Sequence, residues 1–297
     1  MELNREIITT APRPAATVVM LRDVAAGLQV FLMKRHSRSD VLGGAYVFPG
    51  GKVDAADAEL DMAAHLDQPL RRLHATLNEA DISERTAGGL YVAALRETFE
   101  ESGVLFAQQA TRQTLDSADW LSRAAALLRA GHAFNTVLAQ TGLRMQTRSI
   151  VPWSRWITPT APSVMNKRFD TRFFVAAMPP GQVARHDNFE TTESIWLSPR
   201  TALEQYWSGQ IDLAPPQIMS LAHLSRHADV RSVLAAAGIR PPPVIQPEPF
   251  ELEGSRVICY PGDACHSVRE QALPGPTRLC YRNKRFEPVD GFDALFL

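Results

Sequence analysis

The ten residues Leu95-Arg96-Glu97-Thr98-Phe99-Glu100-Glu101-Ser102-Gly103-Val104 constrain this chain more than any other stretch. On a helix, Glu97, Glu100 and Glu101 stand at i, i+3 and i+4, so their carboxylates share one face. Val92, Leu95 and Phe99 recur at helical spacing on another face and can anchor the helix in a core. Arg96 lies one turn before Glu100 and can pair with it, and Gly103 supplies a C-terminal stop. Three clustered carboxylates repel one another unless a cation sits between them. Hard oxygen ligands of this kind suit Mg²⁺ or Mn²⁺. An acidic helix face alone is most often plain solvated surface. What changes the reading is an upstream segment, Ala45-Tyr46-Val47-Phe48-Pro49-Gly50-Gly51-Lys52-Val53-Asp54. It is an apolar strand that runs into a Pro-Gly-Gly turn, and two glycines let backbone amides and carbonyls approach a metal or a phosphate closely.

Together the two segments resemble the Nudix box, G-x5-E-x7-R-E-U-x-E-E-x-G-U, where U is a bulky aliphatic residue. Gly51 matches the first Gly, and Arg96 to Val104 match the second half, with Thr98 in a U position. The departure is length: Gly51 and Arg96 are 45 residues apart rather than 14, an excess of 31. Asp57 occupies the spacing of the first Glu as a shorter carboxylate, and Glu84, near the far end of the excess, is the other candidate for that role. The resemblance implies an α/β/α sandwich with a mixed sheet and metal-dependent hydrolysis of a diphosphate. It implies Glu97, Glu100, Glu101 and the carbonyl of Gly50 or Gly51 as metal ligands, Glu97 also as ligand or base for the attacking water, and Arg96 as the residue that positions Glu97 and Glu100. Gly51 is assigned to the substrate side. A further acidic residue is expected from a loop distant in sequence, Glu190 or Glu193, with Glu193 taken as the catalytic choice.

The phrase FPGGKVDAAD, the interrupted box and the segment PWSRWITPTAPSVMNKRFDTRFFVA resemble the coenzyme A diphosphatase type of mammalian organelles, over roughly Ala15 to Gly209. That implies coenzyme A or acyl-coenzyme A as the small-molecule diphosphate substrate. The alternatives are an ADP-ribose, NADH or nucleotide-sugar diphosphatase, or a non-catalytic ligand-binding module. The NADH type is expected to carry a zinc ribbon, and none is present in this sequence. The loop Lys34-Arg35-His36-Ser37-Arg38-Ser39 leads into the glycine turn, and Arg35 and Arg38 are candidates to clamp substrate phosphate.

Charge narrows the partners. With 31 basic and 32 acidic residues the net charge is −1, so there is no global field for nucleic acid. No apolar run reaches the ~18 residues of a membrane span, and the first fourteen residues lack the apolar core of a signal peptide. A cytoplasmic protein without nucleic-acid or membrane partners is expected, and a homodimer is compatible with this. Cys259, Cys265 and Cys280 carry no C-x-x-C pair and read as reduced thiols. The expected layout is a tail over 1–14, a hydrolase domain over 15–209 with an insertion at 57–88 and a helical pair at 117–141, helices over 210–240, and a small β appendage of two short strands over 241–297. The box helix is expected from Gly89, and Val104 to Phe106 as a short strand.

Overall fold

The computed structural model describes residues 3–4, 6–39, 42–109, 117–162, 164 and 166–297, without the side chains of 117 and 118. In chain order its elements are β1 (Arg13–Val24), β2 (Gly27–Arg35), β3 (Tyr46–Val47), β4 (Gly50–Lys52), α1 (Ala55–Glu59), α2 (Met62–His65), α3 (Leu70–Leu77), α4 (Glu84–Ser102), β5 (Ala107–Gln109), α5 (Ser117–Arg129), α6 (Phe134–Thr141), β6 (Leu143–Met145), β7 (Ile150–Ile157), β8 (Phe169–Ala177), β9 (Thr191–Leu197), α7 (Pro199–Trp207), α8 (Pro215–Leu224), α9 (Val230–Gly238), β10 (Val244–Ile245), β11 (Glu248–Leu252), β12 (Ser255–Cys259), β13 (Arg278–Arg282) and β14 (Arg285–Pro288).

β1 is the centre of the molecule, because both of its faces are apolar. Ala16, Val18 and Met20 point into one core, with Leu95 and Phe99 of α4, while Val19 and Leu21 point into a second, with Leu221 of α8 and Val233 of α9. Burial on both sides makes β1 an inner strand of an α/β/α sandwich. The sheet runs β10-β7-β8-β1-β2-β3, with β4 on β1 and β9 on β2. It is mixed, as expected: β1 and β8 are parallel, as are β7 and β10, and the other pairs are antiparallel. β2 pairs with β1 only from Leu21 to Val24, so the first half of β1 is left for β4, where Ala15, Ala16 and Thr17 face Lys52, Gly51 and Gly50. That places the glycine turn at mid-sheet, within reach of α4.

α4 begins at Glu84, five residues before the expected Gly89. Ser83 caps it, accepting from the Thr86 N–H at 3.0 Å. Gly88 and Gly89 do not break this helix; they let its neighbours close in. A Cβ at Gly88 would lie 2.5 Å from Met62 Sδ and 2.7 Å from Leu70 Cδ2. The insertion therefore packs beside α4, with α3 burying Leu73 and Leu77 in the first core and Thr76 bonded to the Tyr91 hydroxyl at 2.8 Å. Asn78, in the left-handed region, ends α3, and the next residue ties the insertion down. Arg172 Nε of β8 donates to Glu79 Oε1 at 2.9 Å, and Arg155 Nη1 of β7 lies 2.9 Å from Glu79 Oε2, with Asp170 beside both arginines.

Two expectations change. Val104 to Phe106 is not a strand: the Leu105 N–H and carbonyl are both taken by the Gln182 side-chain amide, and pairing starts at Ala107. The C-terminal region is a sheet of four strands, β11-β12-β13-β14, rather than two. It is built into the body. Ile258, Tyr260 and Phe286 share the second core with Trp153 and Trp156, Tyr206 donates to the Phe286 carbonyl at 3.0 Å, and β10 joins the main sheet beside β7. Cys259 and Cys280 are buried and Cys265 is exposed, all as free thiols. Among the described residues no helix is long and apolar enough to cross a membrane.

Replacing Glu79 by Ala leaves Arg172 and Arg155 short of one buried carboxylate. Urea unfolding of Glu79→Ala is expected to show a loss on the order of 3 kcal/mol; a loss within ~0.5 kcal/mol, the range of surface substitutions, would mean that the network does not anchor the insertion.

Candidate active site

The two half-motifs meet at Arg96. Its guanidinium is buried and uses all five of its N–H donors. Nε and Nη2 grip the two oxygens of Asp57 at 2.8 and 3.0 Å; Nη1 reaches Glu97 Oε1 at 2.9 Å and Glu100 Oε2 at 2.8 Å; Nη2 also donates to the Lys52 carbonyl at 3.0 Å. One side chain of α4 thus holds α1, β4 and its own helix face. Asp57 is the carboxylate that takes the place of the first box Glu. It is 1% exposed, and it also accepts from the Asp54 N–H at 2.8 Å, closing the start of α1. Glu84 is not brought in: it lies in the first turn of α4, thirteen residues before Glu97, or ~20 Å along a helix.

The glycine turn lies against the carboxylates. A Cβ at Gly51 would stand 2.4 Å from the Glu97 carboxyl carbon, so only glycine lets β4 and Glu97 occupy these positions. The neighbouring Gly50 presents its amide: the Gly50 N–H donates to Glu101 Oε2 at 2.8 Å. That bond uses the Gly50 N–H and leaves its carbonyl, an expected donor to a metal, uninvolved.

Burial and mutual repulsion act on these groups. Burial, opposed by Arg96 and reinforced by Glu100, pushes Glu97 up to about 7. Burial pushes Glu101 up to about 8 against the pull of the Gly50 N–H, with Glu97 adding to the rise. Glu100 is also raised, by burial first. Glu190 contributes to the rise at both Glu97 and Glu101.

That identifies the distal acidic residue nearest the site. Glu193 sits 3.7 Å from Lys34 Nζ and acts on Tyr46, whereas Glu190 is paired with Arg35 at 3.6 Å and lines a cavity together with Glu97, Gly50 and Gly51. Glu193 lies within β9, opposite Lys34, whereas Glu190 precedes β9, beyond the point where the β2–β9 register shifts between Lys34 and Arg35. Arg35 lies at this border, with its Nε buried and without a partner among the described residues. Arg38 is exposed and lies farther out, in a shallow cleft shared by Arg35, His36, Asn188, Phe189 and Glu190.

A divalent cation was expected here. As placed, no three His, Cys, Asp or Glu side chains among the described residues converge around one point. The donor chemistry nonetheless fits a hard cation. Glu97, Glu100 and Glu101 each spend one oxygen on Arg96 or Gly50, and no hydrogen bond involves the other oxygen among the described residues. Their raised affinities for protons mark a face short of positive charge.

With this geometry in view, the family comparisons agree. The chain matches the NUDT19 Nudix domain model over residues 71–224, and it belongs to this family of Nudix hydrolases. It is 27% identical over 236 residues to the acyl-coenzyme A diphosphatase NUDT19 of Xenopus laevis, and 27% identical over 241 residues to that of Homo sapiens. Each alignment covers 69% of this chain and 62% and 63% of those proteins, so the similarity spans less than two thirds of their length. A Caenorhabditis elegans protein described as nudix hydrolase 7 is 25% identical over 91% of this chain and 80% of its own. The crystal structure of a Nudix hydrolase from Alicyclobacillus acidocaldarius is 28% identical, with a TM-score of 0.60 over 78% of this chain and all of that one.

The raised carboxyls give a sign for pH. Each binds its proton more tightly in the folded than in the unfolded chain. The stability they contribute is therefore present at acid pH and is lost as pH rises through about 7 and then 8. In chelator, Tm is expected to fall between pH ~5 and ~8, and Glu101→Gln is expected to flatten part of that fall. A Tm that rises over this range contradicts the assignment.

Proposed function

We propose that this chain is a divalent-cation-dependent diphosphatase whose substrate is coenzyme A or an acyl-coenzyme A. The observation that carries the proposal is the carboxylate face of Glu97, Glu100 and Glu101 set against the Gly50–Gly51 turn at the edge of a cavity. The substrate assignment is supported by similarity to proteins named acyl-coenzyme A diphosphatases, and by a cationic cleft beside the cavity that suits phosphate groups. Nudix hydrolases generally use divalent metal ions, and Mg²⁺ or Mn²⁺ suits a set of carboxylate oxygens.

A bound cation would supply charge neutralisation on the diphosphate and a more acidic water. Glu97, Glu100 and Glu101 would hold it. Glu97, at the edge of the cavity, accepts the proton of the attacking water. The oxygen adds to one phosphorus, the bond from that phosphorus to the bridging oxygen breaks, and the other phosphate leaves. From coenzyme A the products are adenosine 3′,5′-diphosphate and 4′-phosphopantetheine. Arg96 does not touch substrate; it fixes the rotamers of Glu97 and Glu100. Arg35 and Arg38 take up phosphate oxygens, Arg35 nearest the reacting centre. Glu190 is the choice for the distal acid. A purely ligand-binding module has no use for three clustered carboxylates that repel one another. We also place the protein in the cytoplasm, with no nucleic-acid or membrane partner.

The test is steady-state hydrolysis of coenzyme A, acetyl-coenzyme A, ADP-ribose, NADH and a nucleotide sugar, with Mg²⁺, with Mn²⁺ and in excess chelator. Coenzyme A or its acyl form is expected to have the highest kcat/KM, chelator to abolish turnover, and Glu100→Gln and Glu101→Gln each to cost ~10²-fold or more. Full activity in chelator would refute the cation requirement. A clear preference for ADP-ribose or a nucleotide sugar would refute the substrate.

A further inference from the structure

A cavity of about 360 Å³ opens beside the carboxylates, on the sheet face opposite α4. Its floor follows from the register. Ala15 and Thr17 of β1 alternate with Ala16 and Val18, which point to α4, and Thr171 and Phe173 of β8 stand opposite Ala15 and Thr17. Glu97 and Gly51 reach its edge past the short strand β4. Its far wall comes from parts of the chain outside the expected hydrolase domain. The first turn of α8 supplies Gln217, and the C-terminal sheet with the segment leading into it supplies Pro247, Pro249 and Ile258.

Most of this lining is apolar, with Trp156 and Phe173 as its largest faces; Arg13, Arg35, Lys52, Lys167 and Glu190 also line it, and among its uncharged polar side chains one stands out. Gln217 is only 6% exposed, and its Oε1 is buried without a hydrogen-bond partner among the described residues. A buried amide oxygen without a partner is costly, and the cost is relieved by an N–H donor from whatever fills the space. The cavity thus asks for an occupant that is mostly hydrocarbon, carries an amide N–H along its length, and is joined to a phosphate at the Glu97 end.

The other recess is more polar, and it meets the cavity at Arg35, Lys167 and Glu190. The shallow cleft beyond Arg35 carries Arg35, His36 and Arg38, and Phe189 beside them is 85% exposed. Cations with an open aromatic face suit a phosphorylated nucleoside. With the nucleotide on the cationic side, the rest of a coenzyme A molecule is left for the apolar side. That remainder, the pantetheine arm, is a branched hydrocarbon followed by two amides.

We propose that the cavity is the subsite for the pantetheine arm, with Gln217 accepting a hydrogen bond from an arm amide and Pro249 and Ile258 of the C-terminal sheet closing over it. The proposal rests on the coenzyme A reading above. It gives the C-terminal sheet a role in substrate selection rather than in the chemistry.

The test is calorimetric titration of the full chain in chelator, where turnover plays no part. The probes are coenzyme A and adenosine 3′-phosphate 5′-diphosphate, which is coenzyme A without the arm. Coenzyme A is expected to bind roughly tenfold tighter or more, the scale of one good hydrogen bond plus apolar burial. Gln217→Leu, close in volume, and Pro249→Trp, which fills the partly exposed mouth, are each expected to bring that ratio toward one and to leave the arm-less probe unaffected. The proposal is overturned if coenzyme A binds no tighter than the arm-less probe. It is also overturned if both variants keep the wild-type ratio, or if both weaken the two probes equally, which would put the nucleoside in the cavity. A wild type that shows the ratio but does not hydrolyse coenzyme A with Mg²⁺ would sink the functional reading and leave the subsite standing.

Discussion

The structure depends on one buried guanidinium. Arg96 can lie inside only because five acceptors surround it, and the carboxylates of Asp57, Glu97 and Glu100 can crowd together only because Arg96 lies among them. Neither side of this arrangement is tolerable alone, since an unpaired buried charge costs several kcal/mol. The interaction also explains how an interrupted motif works. Asp57 and Arg96 are 39 positions apart, yet their bidentate contact restores the neighbourhood that an uninterrupted motif would produce within a short loop. Closing a longer loop adds little entropy, because the cost grows only with the logarithm of length. The insertion then stabilises its own placement through α3 on α4 and through Glu79 on β7 and β8.

Around this centre the sheet separates two kinds of chemistry. On the α4 side, burial raises carboxylate proton affinities and leaves a face short of positive charge. On the opposite side the same β1 floor carries an apolar cavity. β4 is only three residues long, and it stands between the two sides. A side chain at Gly51 would displace the Glu97 carboxyl, so the glycine turn is what lets Glu97 lie against β4 where both line the cavity.

Much of this was legible in the sequence, for local reasons. The carboxylate spacing, the Gly103 stop and the apolar run of β8 are short-range patterns, and the helix face, the cap and the central strand lie where those patterns put them. The choice between Asp57 and Glu84 is open in the sequence, and it is the fold that brings Asp57 onto Arg96. Gly88-Gly89 masks the start of α4 because the pair looks like a breaker, whereas the missing side chain of Gly88 is where Met62 and Leu70 pack. Glu190 and Glu193 are three residues apart on one loop and strand. One precedes β9 and the other lies within it, across an irregularity in the β2–β9 pairing that the sequence does not signal. Gln217 carried no signal at all, since nothing around Pro215-Pro216-Gln217 suggests that a C-terminal sheet will enclose it.

The coupling of Asp57 to Arg96 tests the central claim most directly. A double-mutant cycle of Asp57→Asn, Arg96→Gln and the pair measures it, read as kcat/KM on the best substrate and as unfolding free energy. If Arg96 joins the two halves by gripping Asp57, the single variants each remove most of the function. The double variant then falls well short of their sum, with a coupling above ~1 kcal/mol in both readouts. Losses that add within ~0.5 kcal/mol would show that the two residues act independently, and that some other contact holds the interrupted motif together.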